Sequence, residues 1–140
     1  MSQTNTQAGQ IVLLANENLT GKEGLLVVIV NASTVAKFAL PDAVSDLALF
    51  VLTDGDAAGE KVAALPLSPD RNVRIRLSGT CVPGDVLVPA DIDGTKDGMV
   101  KVLPAVGGTY RGIAIAEESG IDGQLVKARP AMIGNITITA

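Results

Sequence analysis

Gly79-Thr80-Cys81-Val82-Pro83-Gly84-Asp85, then Asp93-Gly94, Asp97-Gly98, Gly108-Thr109-Tyr110-Arg111-Gly112-Ile113-Ala114 and Gly123-Gln124-Leu125-Val126-Lys127-Ala128-Arg129-Pro130 punctuate the last third of the chain. The runs between the glycines are short, β-branched and alternating, and each glycine falls where an extended chain has to turn. Just upstream, Asn72-Val73-Arg74-Ile75-Arg76-Leu77-Ser78 is the clearest strand. Side chains alternate across a strand, so Val73, Ile75 and Leu77 share one face while Arg74 and Arg76 share the other. The first face belongs to a core; the second meets water or a partner. Met99–Leu103 and Gln124–Arg129 repeat the pattern more weakly, and Ile136-Thr137-Ile138-Thr139 is an alternating segment suited to pairing with a neighbouring edge.

The N-terminal half reads the same way. Apolar runs at Ile11–Ala15, Leu25–Val30, Val35–Leu40 and Leu47–Thr53 recur about every ten residues with Gly, Asn, Asp and Pro between them, the spacing of a sandwich or barrel. No window keeps a helical apolar stripe between caps, except that Pro41-Asp42-Ala43-Val44-Ser45-Asp46 suits a single helical turn. Pro66-Leu67-Ser68-Pro69-Asp70 predicts a surface loop between two halves of one β unit. Residues 1–10 are polar, uncharged and aperiodic. The expected architecture is therefore all-β: a compact sandwich- or barrel-like single domain over 11–140, at most one short helix, and a flexible N-terminal arm over 1–10.

Composition narrows the chemistry. Hydrophobic residues make up 47% of the 140, yet there are only two Phe, one Tyr and no Trp. The core must be aliphatic, and so much apolar sequence implies that some of it is covered by other subunits. With no His, the usual general base, metal ligand and pH switch are missing together. Cys81 is the only cysteine, which excludes an intrachain disulfide and reads as a small buried apolar residue. Net charge is −4 with the basic residues scattered, so neither the positive footprint nor the aromatic platforms of nucleic-acid binding are present. No uninterrupted apolar run exceeds six residues, as in Leu25–Val30, against the roughly 20 of a membrane helix. The first ten residues lack a basic start and an apolar stretch, so no secretory signal is expected, and the N-x-S/T triplets at Asn18, Asn31 and Asn135 read as chance.

Candidate chemistry yields to turn chemistry. Asp91-Ile92-Asp93-Gly94-Thr95-Lys96-Asp97-Gly98 has the texture of a calcium loop, but the twelfth position, where such loops place a bidentate Glu, is Val102. A turn in which Asp accepts backbone N–H bonds and Gly supplies positive φ explains the same residues, and the same holds for Asp54–Glu60. Glu117-Glu118 reads as a solvated acidic turn, since neighbours on a strand do not converge on one atom. Gly107-Gly108-Thr109 lacks the lysine and helix of a phosphate loop, and no spacing favours a Ser-Lys hydrolase. We assign no catalytic, cofactor-binding or metal-ligating residue and expect no cofactor.

Taken in order, Gly79-Thr80, Pro83-Gly84-Asp85-Val86-Leu87-Val88, Gly98-x-Val100, Tyr110-Arg111-Gly112-Ile113-Ala114-x-Ala116-Glu117-Glu118 and Gly123-Gln124-Leu125-Val126-x-x-Arg129-Pro130 resemble tailed-phage capsid decoration, or cement, proteins. Leu19-Thr20-Gly21-Lys22-Glu23-Gly24-Leu25 fits their opening, so the resemblance covers roughly residues 19–130. It implies a non-enzymatic virion protein, made in the host bacterial cytoplasm. Such a protein sits on the outer surface of the head as a homotrimer and clamps major capsid proteins against the pressure of packaged DNA. An arm adding as a strand to a neighbour's sheet would suit that role, as would avidity among symmetric copies. The expected partners are the major capsid protein and further copies of the chain, with neither nucleic acid nor membrane. The contact residues singled out are Gln10, Ile11 and Val12 at the end of the arm, and Arg74 and Arg76. Two rivals stand beside this reading: a swivelling or double-psi β-barrel enzyme or accessory domain, in which a Pro83-Gly84-Asp85 corner is also common, and a tail or fibre module.

Overall fold

Leu25–Val30 is continuously apolar rather than alternating, as strands covered on both faces are. In the computed structural model, which describes residues 9–139, Leu25–Val28 are buried in this way, while Ile29 is exposed and Val30 half-buried. Strands β1 (Ile11–Ala15), β2 (Leu26–Ala32), β3 (Val35–Ala39), β4 (Phe50–Asp54) and β5 (Lys61–Pro66) form a closed barrel in the order β1-β3-β2-β4-β5. Val27 packs inside it with Ala15, Leu19, Phe38, Leu52, Val62 and Ala64. Leu26 and Val28, on the opposite face of β2, join Ala39 and Val51 in a second cluster shared with the other half of the chain. The barrel closes where β1 runs antiparallel to β5, from Ile11 opposite Ala64 to Leu14 opposite Lys61, and parallel to β3 at Leu14 and Ala15.

The other half is a five-stranded sheet of β6 (Val73–Arg76), β7 (Val86–Pro89), β8 (Val100–Val102), β9 (Gly108–Ala116) and β10 (Leu125–Ile138), in the order β6-β10-β9-β7-β8. It curls until its edges meet at a bridge between Leu77 and Val100, with the Ser78 N–H donating to Val100 O at 2.7 Å. Backbone bonds stitch the halves together: Leu26 N–H donates to Gly98 O at 2.7 Å and Arg76 N–H to Gly24 O at 2.8 Å. Val73, Ile75, Leu77, Leu87, Val100, Ala114, Val126 and Ala128 are among the other members of the shared cluster, and no polar or charged residue is buried among the described residues.

The protein is thus all-β, with two β layers around a shared aliphatic core. No helix occurs among the described residues. Residues 41–46 make one closed turn, in which the Asp46 N–H reaches Ala43 O at 3.1 Å and the Asp46 carboxylate accepts the N–H of Asp42 and Ala43. The loop from Leu67 to Asn72 connects the barrel to the second sheet, as the prolines predict. β5 is the strand least visible in the sequence. Its Lys-Val-Ala-Ala-Leu-Pro has little β propensity, and tertiary pairing with β1 and β4 decides its conformation. Residues 1–8 of the expected arm lie outside the described residues; of its remainder, Gln10 is exposed.

β10 is longer than any strand that pairs with it. β6 covers only Leu125–Ala128, and β7 covers β9 only at Ala114 and Ile115. Between Pro130, opposite Ala114, and Gly134, opposite Gly112, a bulge bends β10 away. A Cβ on Gly112 would lie 2.9 Å from that of Ile133, so glycine is what lets the bulge close over β9. Beyond it, Gly108–Gly112 and Gly134–Ile138 continue as a two-stranded ribbon.

Candidate functional site

Alternation on β6 delivers the two faces read from the sequence: Val73, Ile75 and Leu77 are buried, while Arg74 and Arg76 lie on the outer face. The register adds what spacing alone did not. Lys127 of β10 stands opposite Arg74 and Leu125 opposite Arg76, so Lys127 and, two residues on, Arg129 share that outer face. Four cations are thereby gathered in a chain whose net charge is −4. The only sign of this in the sequence is the weaker alternation of Gln124–Arg129.

Glu117 and Glu118 close over this face and are not the solvated turn expected. The Arg74 Nη1 donates to Glu118 Oε1 at 2.8 Å and to Leu125 O at 3.3 Å, and the Lys127 N–H donates to the same Glu118 oxygen at 2.9 Å. The Lys127 N–H, with help from Arg74, holds the Glu118 carboxyl below its usual range. Arg129 Nη2 lies 3.2 Å from Glu117 Oε2, while Glu117 Oε1 is buried without a partner. Arg76 spans to Glu23 O at 3.0 Å and Gly123 O at 3.2 Å, fixing the junction of barrel and sheet. Arg74 retains the more accessible side chain, 57% exposed.

Gln10, Ile11 and Val12 enter the barrel at the start of β1. Ile11 packs against the barrel core opposite Ala64, whereas Val12, opposite Ala63, is 53% exposed. The structure sets this segment on the barrel and the arginines on the second sheet.

The Asp-rich segment is built from turn bonds. Asp93 Oδ1 accepts the N–H of Thr95 and Lys96 and the Thr95 hydroxyl at 2.8–2.9 Å, and Asp97 Oδ1 accepts the N–H of Asp93 and Gly94 at 2.9 Å. Those N–H donors lower the Asp93 pKa from 3.8 to about 2. A carboxyl depressed on folding stabilises above its unfolded value and loses that contribution as pH falls through the folded one. The stability that this turn supplies should therefore be intact above pH 4 and fade towards pH 2. A carboxyl-carbon NMR titration of Asp93 centred near 4 would contradict the geometry.

Asp97 also borders an open groove of about 320 Å³ whose walls include Glu17, Asp42 and Asp46 over Val28, Val30 and Leu40. Three of its carboxylates serve the backbone: Glu17 accepts Leu40 N–H at 2.8 Å, Asp46 caps the 41–46 turn, and Asp97 holds the loop above. A hydrogen bond with Asp46 pushes the Asp42 carboxyl up, and backbone donation from Asp42 draws Asp46 down. Cys81 is buried, with its thiol raised by burial and directed at Glu118 O, 3.5 Å away.

Several large apolar side chains on β10 and on segments next to β9 are exposed. Met132 is 76% exposed, Val106 70%, Leu47 65% and Val44 54%. Arg111 of β9 holds the segment of Val44 and Leu47 by donating to Ser45 O and Asp46 O at 3.0 and 2.9 Å, and the Tyr110 hydroxyl donates to Val106 O at 3.1 Å.

No family model matches the chain, and no curated protein does. Among solved structures, the fold is similar to that of the N base of the head fibre gp8.5 of bacteriophage phi29. The TM-score is 0.62 and the identity 15%, over 89% of this chain and 95% of that one. At that identity what the two chains share is the fold, carried by different side chains over nearly their whole lengths.

Proposed function

We propose that this chain is a non-enzymatic structural protein of a phage virion that seats on the outer surface of the head. There it binds the major capsid protein as a homotrimer and holds neighbouring capsid subunits together. The observation that carries this reading is the likeness to the phi29 head fibre base, which spans 89% of the chain. It agrees in kind with the cement-protein resemblance of residues 19–130. Residues 1–10 serve as an arm that adds to a capsid subunit's sheet edge, continuing from β1 through Gln10, Ile11 and Val12. The face bearing Arg74, Arg76, Lys127 and Arg129 supplies a second contact, and three copies turn weak contacts into tight ones. A second reading, in which the chain is the base of a fibre mounted on the head, draws on the same likeness, because the phi29 protein is a fibre base.

Co-sedimentation with heads of the same phage lacking the chain tests the proposal. The wild type should bind to saturation. Arg74→Ala, which removes the most accessible guanidinium of the face, should bind roughly tenfold more weakly, the scale of one lost charge-assisted hydrogen bond. A protein recovered with tails, or indifferent to heads, would overturn the reading.

A further inference from the structure

The ribbon beyond the β10 bulge has features that a solitary chain does not use. Directly opposed residues share a face, so Tyr110 with Ile136 and Gly108 with Ile138 form one side, while Thr109 with Thr137 and Arg111 with Asn135 form the other. On β9 the first side continues the face of Ala114 and Ala116, both buried, so it prolongs the core face past the end of the core. Ile136 and Ile138 are only half-buried, while Asn135, Thr137 and Thr139 are exposed. Among the described residues both long edges are unpaired: no described strand other than β9 pairs with β10 from Gly134 to Ile138, and β7 pairs with β9 only at Ala114 and Ile115. The β10 edge, Gly134–Ile138, is uncharged and rich in β-branched residues, the kind of edge that soluble proteins ordinarily block with Lys, Pro or a covering element. A two-stranded ribbon is also marginal by itself.

We infer that these ribbons pair with one another. The free β10 edge of one copy joins the free β9 edge of the next, and the ring closes with the face of Tyr110, Ile136 and Ile138 turned inward. The occupant is a second copy of this chain, on two grounds. One ribbon carries two complementary open edges, so every copy both offers and accepts a strand, which is a head-to-tail interface that closes by rotation. Charge supplies the other ground: copies with net charge −4 repel, yet Ala131 to Thr139 carries no ionisable side chain and Gly108 to Gly112 carries only the charge of Arg111, so the β10 edge can meet the β9 edge of the next copy without opposing like charges. An open groove of about 120 Å³ runs beside the β9 edge, its apolar wall formed by Val44, Val88 and Pro89 and its polar wall by the Asp91–Lys101 ion pair and Arg111. The number of copies rests on the trimer proposed above. Three ribbons give a six-stranded, fully antiparallel ring, because strand direction alternates within each ribbon and across each new pairing.

Light scattering on the eluting full-length protein should give three times the chain mass of 14.3 kDa. Ile136→Lys and Ile138→Lys, which place a charge on the inward face, should elute as monomers with unchanged far-UV circular dichroism. Thr137→Lys, between them on the outward face, should remain a trimer. Amides of residues 134–138 should exchange slowly in concentrated wild type and rapidly after dilution to monomer. A wild-type monomer or dimer, a trimeric Ile136→Lys, or exchange independent of concentration would each overturn the inference. Binding of the same variants to heads separates the two ideas. Wild type that binds heads while Ile136→Lys stays trimeric sinks the ring alone, and a ribbon-dependent trimer indifferent to heads sinks the virion role alone.

Discussion

Phe38→Ala should lower the stability of the protein by about 3–5 kcal/mol, and its melting temperature by roughly 10–15 °C. Phe38 is the largest fully buried side chain, 0% exposed, and fills the barrel among Ala15, Leu19, Val27, Leu52, Val62 and Ala64. Phe50 meets its ring edge-on, with centroids 5.5 Å apart at 61°. A barrel closed by pairing on every side cannot collapse into the space left behind, so the loss combines transfer and cavity contributions. The shared cluster of Leu26, Val28, Ala39 and Val51 couples the barrel to the second sheet, so urea unfolding should remain one transition at a lower midpoint. Phe38→Leu, which keeps most of the volume, should cost well under half as much. A loss below about 1 kcal/mol for Phe38→Ala would show that the barrel interior is not packed as described.

Gly98→Ala should destabilise by about 3 kcal/mol or more, although it adds a single methyl group. Gly98 holds φ at +85° and is buried, and a Cβ there would lie 2.7 Å from Leu26 O and 3.1 Å from Leu25 Cβ. The obstacle is backbone, which cannot rotate aside. Relief would require the loop to withdraw from β2, breaking the 2.7 Å bond from Leu26 N–H to Gly98 O and leaving a donor unsatisfied at a residue that is 0% exposed. The left-handed conformation contributes about 1–2 kcal/mol and the stranded donor about 1–3. Gly94→Ala is the matched control: it has the same φ of +85° with open space around the new methyl, so only the conformational part should appear. Equal losses for the two variants in urea titrations would mean that the stitch between loop and barrel contributes nothing.

Both positions show where sequence reading succeeds and where it stops. Asp97-Gly98 is legible as a turn because a positive φ next to an Asx acceptor is local chemistry. That this turn also fastens the second sheet to the barrel depends on Leu26, far away in sequence, and no local pattern encodes it. Arg74 and Arg76 could be placed on an outer face from period-two alternation alone. Lys127 and Arg129 joined them only through the pairing of β6 with β10, and Glu117 and Glu118 became their partners because the bend after β9 folds over that face.

What the sequence determined by itself was the all-β class, most strand positions, a loop between the two halves, which runs over Leu67–Asn72 with Pro66 still in β5, and an aliphatic core. Each follows from short-range rules: alternation, turn residues, and the volume of the side chains present. Tertiary structure alone decided that the first half closes into a barrel, that the alanine-rich Lys61–Pro66 is a strand, and that β10 outruns its neighbours to leave a ribbon with open edges. Those outcomes depend on which distant strands pair and in what register. That choice is set by burying the faces of β2 on both sides and the core face of β9 together, a condition on the whole chain that no single segment carries.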